Sequence, residues 1–154
     1  MVFRVSAPSA KYLREVWANI RASVIGRRLF DLANGWDGRP PVGEAMFVVT
    51  HQAPSEWDFP EAPFTFVTDG VESAVGQAKS FAAEKDVSLS AGNIGGQGFE
   101  AGLVDEVRVD LVGVVLGAGK GYFGDYGGSP LLLENPQVVE GDGVTHLHYR
   151  LRKP

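Results

Sequence analysis

The sequence predicts a mixed α/β fold: a mostly parallel sheet flanked by helices, with a C-terminal antiparallel hairpin. Two patterns carry this reading. Across the first two thirds of the chain, segments of helical and strand periodicity alternate, which favours parallel pairing. In the last third, two strand-like runs flank Gly141-Asp142-Gly143, a hairpin signal.

The elements follow in order. Ser9 is a candidate cap for a first helix, whose apolar stripe would be Leu13, Val16, Trp17 and Ile20. SVIGRRLFDL opens as a short apolar strand that runs into a glycine and two arginines. NGWDGRPPVGE is turn chemistry throughout, with Asn-Gly, Asp-Gly and Pro-Pro. AMFVVTH reads as a strand buried on both faces, QAPSEWDFPEAP as a proline-rich surface loop, and FTFVTD as another strand. Asp69 with Glu72 makes a capping-box pattern. Val71, Val75, Ala78 and Ala82 then form the inward stripe of a second long helix, with Phe81 beside it. DVSLSAG is a strand and NIGGQGFEAGL a glycine-weakened helix. EVRVDLVGVVLG reads as one long strand with Val107, Val109 and Leu111 on one face, and LLLENPQVVEGDGVTHLHYRLR as the closing hairpin.

Bulk properties narrow the function. A chain of 154 residues suggests one domain over residues 1–154, long enough for a real core. The net charge of −5 argues against a nucleic-acid or anionic-membrane surface. The absence of cysteine excludes disulfides, thiolate metal sites and cysteine nucleophiles. No apolar run approaches the roughly 20 residues of a membrane span. MVFRVSAPSAKYLREVW lacks the apolar stretch of a signal peptide, so a cytoplasmic protein is expected.

Three short stretches are candidates for chemistry. In SAGNIGGQ (Ser90–Gln97) a strand ends in glycines and opens a helix, aiming free backbone N–H groups outward, which suits a phosphate. The order matches neither the Rossmann fingerprint nor a P-loop, and a tight packed turn is the competing reading. In IGRRLF, Arg27 and Arg28 follow a strand and either clamp a phosphate or form a solvated helix start. Thr50 and His51 end a buried strand at the same kind of edge. In open parallel sheets ligands gather beyond the carboxyl ends of the strands, so the convergence of these stretches says more than any one.

Other residues point less clearly. His146 and His148 share one face of a strand, a spacing that permits metal binding, yet an exposed strand face is the preferred reading and no metal is expected. Asp105-Glu106 reads as a solvated strand start rather than an acid–base pair. Trp36 and Trp57 either cover a pocket or lie over the core edge.

Taken in series, GRRLFDLANGW, FVVTH, FTFVTDGVESAVGQAK and SAGNIGGQGFEAGLVDEVRVDLVGVVLGAGKGYFG resemble the dihydrofolate-reductase-like superfamily. More closely they resemble the C-terminal reductase domain of the bacterial bifunctional riboflavin-biosynthesis deaminase/reductase, over about Ser23 to Arg152. The resemblance implies NADPH lying across the strand ends. Gly26, Arg27, Arg28 and Leu29 match the segment that holds cofactor phosphates, with Leu29 where the common motif has threonine. Thr50 and His51 match the segment near the adenosine ribose. Ala91, Gly92, Asn93, Ile94, Gly95, Gly96 and Gln97 match the glycine motif that cradles the pyrophosphate, with Ala91 replacing a frequent glycine. Gly113 stands where many relatives have proline.

The implied reaction is hydride transfer from the nicotinamide to a C=N or carbonyl carbon of a small pterin-like, pyrimidine-like or other substrate. No residue is singled out as catalytic; for Asp31 a helix-start role is favoured. Relatives begin with a strand and a segment lining the substrate pocket, whereas only MVFRVS precedes the first helix here. Either that stretch substitutes as a strand or the catalytic edge is incomplete, and pairing in a homodimer is one way to cover the exposed sheet edge. The alternatives to a reductase are a non-catalytic nucleotide or small-molecule binding module and a dimeric scaffold with an empty pocket.

Overall fold

In the computed structural model, which describes residues 5–152, IRASVIG forms β1 (Ile20–Gly26) at the interior of a sheet. Its neighbours are β2 (Ala45–Val49) and β4 (Asp86–Leu89), with β3 (Phe64–Val67) outside β2. All three pairings are parallel, as the alternation of helix and strand predicts. β1 and β2 are apolar on both faces because each face of a parallel sheet is covered. Period-2 alternation sorts their residues: Ala22, Val24, Ala45 and Phe47 join one core cluster, and Ile25, Met46 and Val48 the other.

The first cluster is closed by a helix, here α3 (Val71–Ala82), which contributes Val71, Ala74, Val75, Ala78 and Ala82. Small residues at the contact let the helix lie close to the sheet. The second cluster is closed by Phe30 of α2 (Arg27–Leu32), with Trp36, Trp57, Phe64 and Phe66 packed against it. α4 (Asn93–Glu100) follows β4 and adds Ile94 to the first cluster.

The chain forms two compact units. The parallel sheet belongs to one, made of Trp17–Leu103 with Lys120–Tyr126. The other contains β5 (Glu106–Val112), β6 (Gln137–Glu140) and β7 (Val144–Arg150) in the order β5-β7-β6, antiparallel throughout. β6 and β7 are the expected hairpin, and Gly141 N–H donates to Val144 O across the turn at 2.8 Å. The first turns of α1 (Ala7–Asn19) belong to this second unit.

Four local expectations are corrected. The first helix begins at Ala7, so its cap is Ser6 and not Ser9: Ser6 Oγ accepts the Ser9 N–H at 3.4 Å, and Pro8 fits a first turn that needs no N–H. Ser9 instead faces inward. The stripe of that helix is narrower than expected, because Trp17 is 49% exposed and Ile20 already belongs to β1. The Asp69–Glu72 capping box does not form; the cap of α3 is Gly70, with no side-chain bond. The strand begun by EVRVDLV stops at Val112, where its partner β7 begins at Val144, and Leu111, although paired with Thr145, is 58% exposed. Of the stretch MVFRVS, expected either to substitute as a strand or to leave the catalytic edge incomplete, residues 1–4 lie outside the described residues, and Val5 and Ser6 are in no strand.

Candidate functional site

The carboxyl ends of β2, β1 and β4 lie side by side and level. Val49 is paired with Gly26 and Leu89 with Val24, while Ser90 N–H donates to Val24 O at 3.0 Å. The three candidate stretches therefore meet at one edge: Gly26 with Arg27, Arg28 and Leu29 on α2; Thr50 and His51 just past β2; and Ala91 and Gly92 leading into Asn93–Gln97 of α4.

These residues are not equally available. Arg27 Nε binds Asp31 Oδ1 at 2.7 Å, one helical turn on, and its Nη1 donates to Gln52 O at 3.0 Å. Thr50 Oγ1 donates to the same carbonyl at 2.8 Å. Arg27 and Thr50 thus fasten the start of the β2–β3 loop to α2, and their polar atoms face this chain. Arg28 and His51 are solvent-facing and have no side-chain partner among the described residues. Ile94 turns inward, close enough to β1 that a Cβ on Gly26 would lie 2.9 Å from its Cγ1. Leu29 is partly exposed and brings no polar atom to the edge.

The start of α4 has no side-chain cap. Its first N–H groups, from Asn93 onward, therefore lack partners within the helix and carry the positive end of its dipole. A segment that sequence reasoning did not assign to this edge, Lys120–Tyr126, lies against it: Tyr122 O accepts the Gly92 N–H at 2.8 Å. A Cβ on Gly96 would stand 2.6 Å from Phe123 O, and one on Gly95 3.0 Å from Ser90 O. These two glycines are required by the approach of the chain's own backbone. The site of a Cβ on Gly92, by contrast, has nothing within 4 Å. The glycines of GKGYFG are the signal that could have placed this segment here, since close backbone packing excludes side chains.

The histidines are the larger correction. His146 and His148 are buried, at 2% and 9% exposure, not on an exposed strand face. His146 Nδ1 lies 2.6 Å from Asp110 Oδ1, its Nε2 lies 2.8 Å from Ser9 Oγ, and the Tyr12 ring sits 4.6 Å away. His148 Nε2 binds Glu106 Oε2 at 2.8 Å, and that carboxylate also meets Arg108 and Arg150. Glu106 is therefore the hub of an ion-pair cluster. Among the described residues no group of three or more His, Cys, Asp or Glu side chains is placed to hold a metal ion.

No family model matches this chain, and no curated protein does. Solved structures do match. A protein of Shewanella sp. PV-4, provisionally named a riboflavin biosynthesis protein, superposes with a TM-score of 0.71 at 20% identity, over 91% of this chain and 78% of that one. A pyrimidine reductase-like protein from Corynebacterium diphtheriae superposes with a TM-score of 0.63 at 13% identity, over 95% of this chain and 82% of that one. At such identities the likeness is one of fold, and the fold is the dihydrofolate-reductase-like one that the sequence resembles. No helix among the described residues is long and apolar enough to cross a membrane.

Proposed function

We propose that this protein is a nicotinamide-dependent reductase that takes NADPH as hydride donor and reduces a small pterin-, pyrimidine- or carbonyl-type substrate. The observation that carries the reading is the level edge of β2, β1 and β4, where an uncapped helix start and an unpartnered arginine occupy adjacent strand ends. The chemistry of that edge fits an anionic dinucleotide. The N–H groups of Ile94 and Gly95 would receive a phosphate on the side where a Cβ on Gly92 meets nothing within 4 Å, while the backbone of Gly124 packs beside Asn93 N. Arg28 and His51 would add donors. Arg27 and Thr50 would act by holding the β2–β3 loop in place. The bound nicotinamide would supply the hydride; the chain's part is to bind, orient and exclude water. On this reading the protein works in the cytoplasm as a homodimer, and the outer edge of β4, which pairs with no strand among the described residues, supports pairing between subunits.

A second reading, a binding module without turnover, is favoured by the internal bonding of Arg27 and Thr50. Titration of NADPH against tryptophan fluorescence tests both. Wild-type protein should bind. Arg28→Ala should weaken binding roughly tenfold to a hundredfold, the worth of a hydrogen bond to a charged group at about 1.5–3 kcal/mol. Folded protein that ignores NADPH refutes the cofactor site. Binding with no NADPH oxidation across pterin, pyrimidine and carbonyl substrates selects the second reading.

A further inference from the structure

A cavity of about 310 Å³ opens between α2 and the loop that follows β2. Three aromatic side chains, Phe30, Trp57 and Phe59, stand among charged and polar residues in its lining. Phe30 and Trp57 have ring centroids 4.9 Å apart, and Trp57 and Phe59 5.4 Å apart. Asp31, Glu56 and Asp58 also line it. Asp31 is matched by Arg27. Glu56 and Asp58 have no side-chain partner among the described residues. The cavity therefore joins ring faces to two uncompensated negative charges.

The wall is held from behind by costly backbone. Asn34, Gly35, Trp36, Asp37 and Gly38 all have positive φ, between 47° and 77°. Three of them, Asn34, Trp36 and Asp37, carry side chains, for which the left-handed region is strained. A Cβ on Gly35 would strike Trp57 and Phe30, and one on Gly38 would lie 2.8 Å from Phe59. The turn thus brings bare backbone up against these rings. Strain of this kind persists only where the surroundings over-determine it, and here they fix the orientation of two aromatic faces.

We propose that this cavity binds a flat organic cation, such as an amidinium, a guanidinium or a protonated amino-heterocycle. Its face would rest on the Trp57 ring, with the Phe59 ring standing across it at 70°, and its N–H groups would reach Glu56 and Asp58. A cation over an aromatic face is attracted by the ring quadrupole, and planar N–H forks match carboxylates in pairs. A neutral ligand of the same shape would desolvate the two carboxylates without compensating them. The proposal is independent of the nicotinamide reading; Arg27 alone belongs to both sites.

Trp57 reports on the cavity. The full chain, carrying Trp17→Phe to remove an exposed tryptophan background, is titrated with benzamidine and with benzamide, its neutral near-isostere. Benzamidine should change the fluorescence with a Kd at least tenfold below that of benzamide. Glu56→Gln combined with Asp58→Asn should abolish the preference and leave the melting temperature unchanged, since both side chains are exposed. Equal responses to the two probes, no response to either, or a preference that survives the double variant each overturns the proposal.

Discussion

Gly96→Ala and Gly76→Ala introduce the same methyl group into two helices and should move stability in opposite directions. In α3, a Cβ on Gly76 meets nothing within 4 Å, so the alanine variant gains helix propensity alone, about 0.8–1.0 kcal/mol. In α4 the same gain is set against a Cβ 2.6 Å from Phe123 O. That neighbour is backbone and cannot rotate away, so either α4 or the 120–126 segment must move by several tenths of an ångström. Forced overpacking of this size costs about 1–3 kcal/mol. The net effect at Gly96 is a loss of roughly 0–2 kcal/mol, which separates the two variants by about 2 kcal/mol. For a chain of this length that is a melting-temperature gap of about 4–8 °C. Calorimetry on the two variants measures it, and hydrogen exchange at Gly92 gives a local readout, because its N–H is bonded to Tyr122 O. If both variants melt above wild type by the same amount, the segment does not lie on the start of α4, and the description of that edge fails.

The remaining predictions concern single polar contacts. Ser9→Ala removes the partner of His146 Nε2, which is buried, and should cost about 1–3 kcal/mol in urea unfolding; a loss below a few tenths would mean that the network does not form. Arg27→Ala should leave global stability nearly unchanged, since an exposed ion pair at this spacing contributes about 0.3–0.5 kcal/mol. It should nonetheless speed proteolytic cleavage between Gln52 and Asp58, because the bond to Gln52 O is lost; unchanged cleavage would remove the loop-fastening role.

The parallel sheet was legible because its strands carry their own pattern. AMFVV is apolar at every position, and VESAVGQAKSFA repeats its small residues at helical spacing, so local sequence and packing agree. The three polar strand ends were legible for the same reason, since each directly follows such a strand. What each side chain does there was not legible. That Arg27 is bonded and Arg28 is open depends on Asp31 one turn away and on a carbonyl in another loop, a relation of distance that spacing does not encode. The buried histidines are the clearest case. Asp110 sits opposite His146 in the β5–β7 register, yet 36 residues separate them in sequence. Without the register, THLHYR reads as alternating polar surface; with it, His146 faces Asp110 directly and His148 faces Arg108, with Glu106 on the diagonal. The left-handed turn was anticipated as a turn, but nothing in NGWDG says that it would seat its glycines against Trp57 and Phe59.

The contact between Ser9 and His146 bears on how the first helix is held. A helix fixed only by a greasy stripe can roll about its own axis at small cost, because one methyl group serves nearly as well as the next. A hydrogen bond has a bearing. Ser6 donates to Ser9 at 3.1 Å, and in a neutral imidazole whose Nδ1–H faces Asp110, Ser9 donates onward to Nε2. The sequence of donors runs one way and tolerates only one azimuth of α1 over β7. α1 contributes Ser9 as its sole fully buried residue, so the helix is keyed rather than glued. Substituting larger apolar residues along its stripe should add grip without improving the fit of the key.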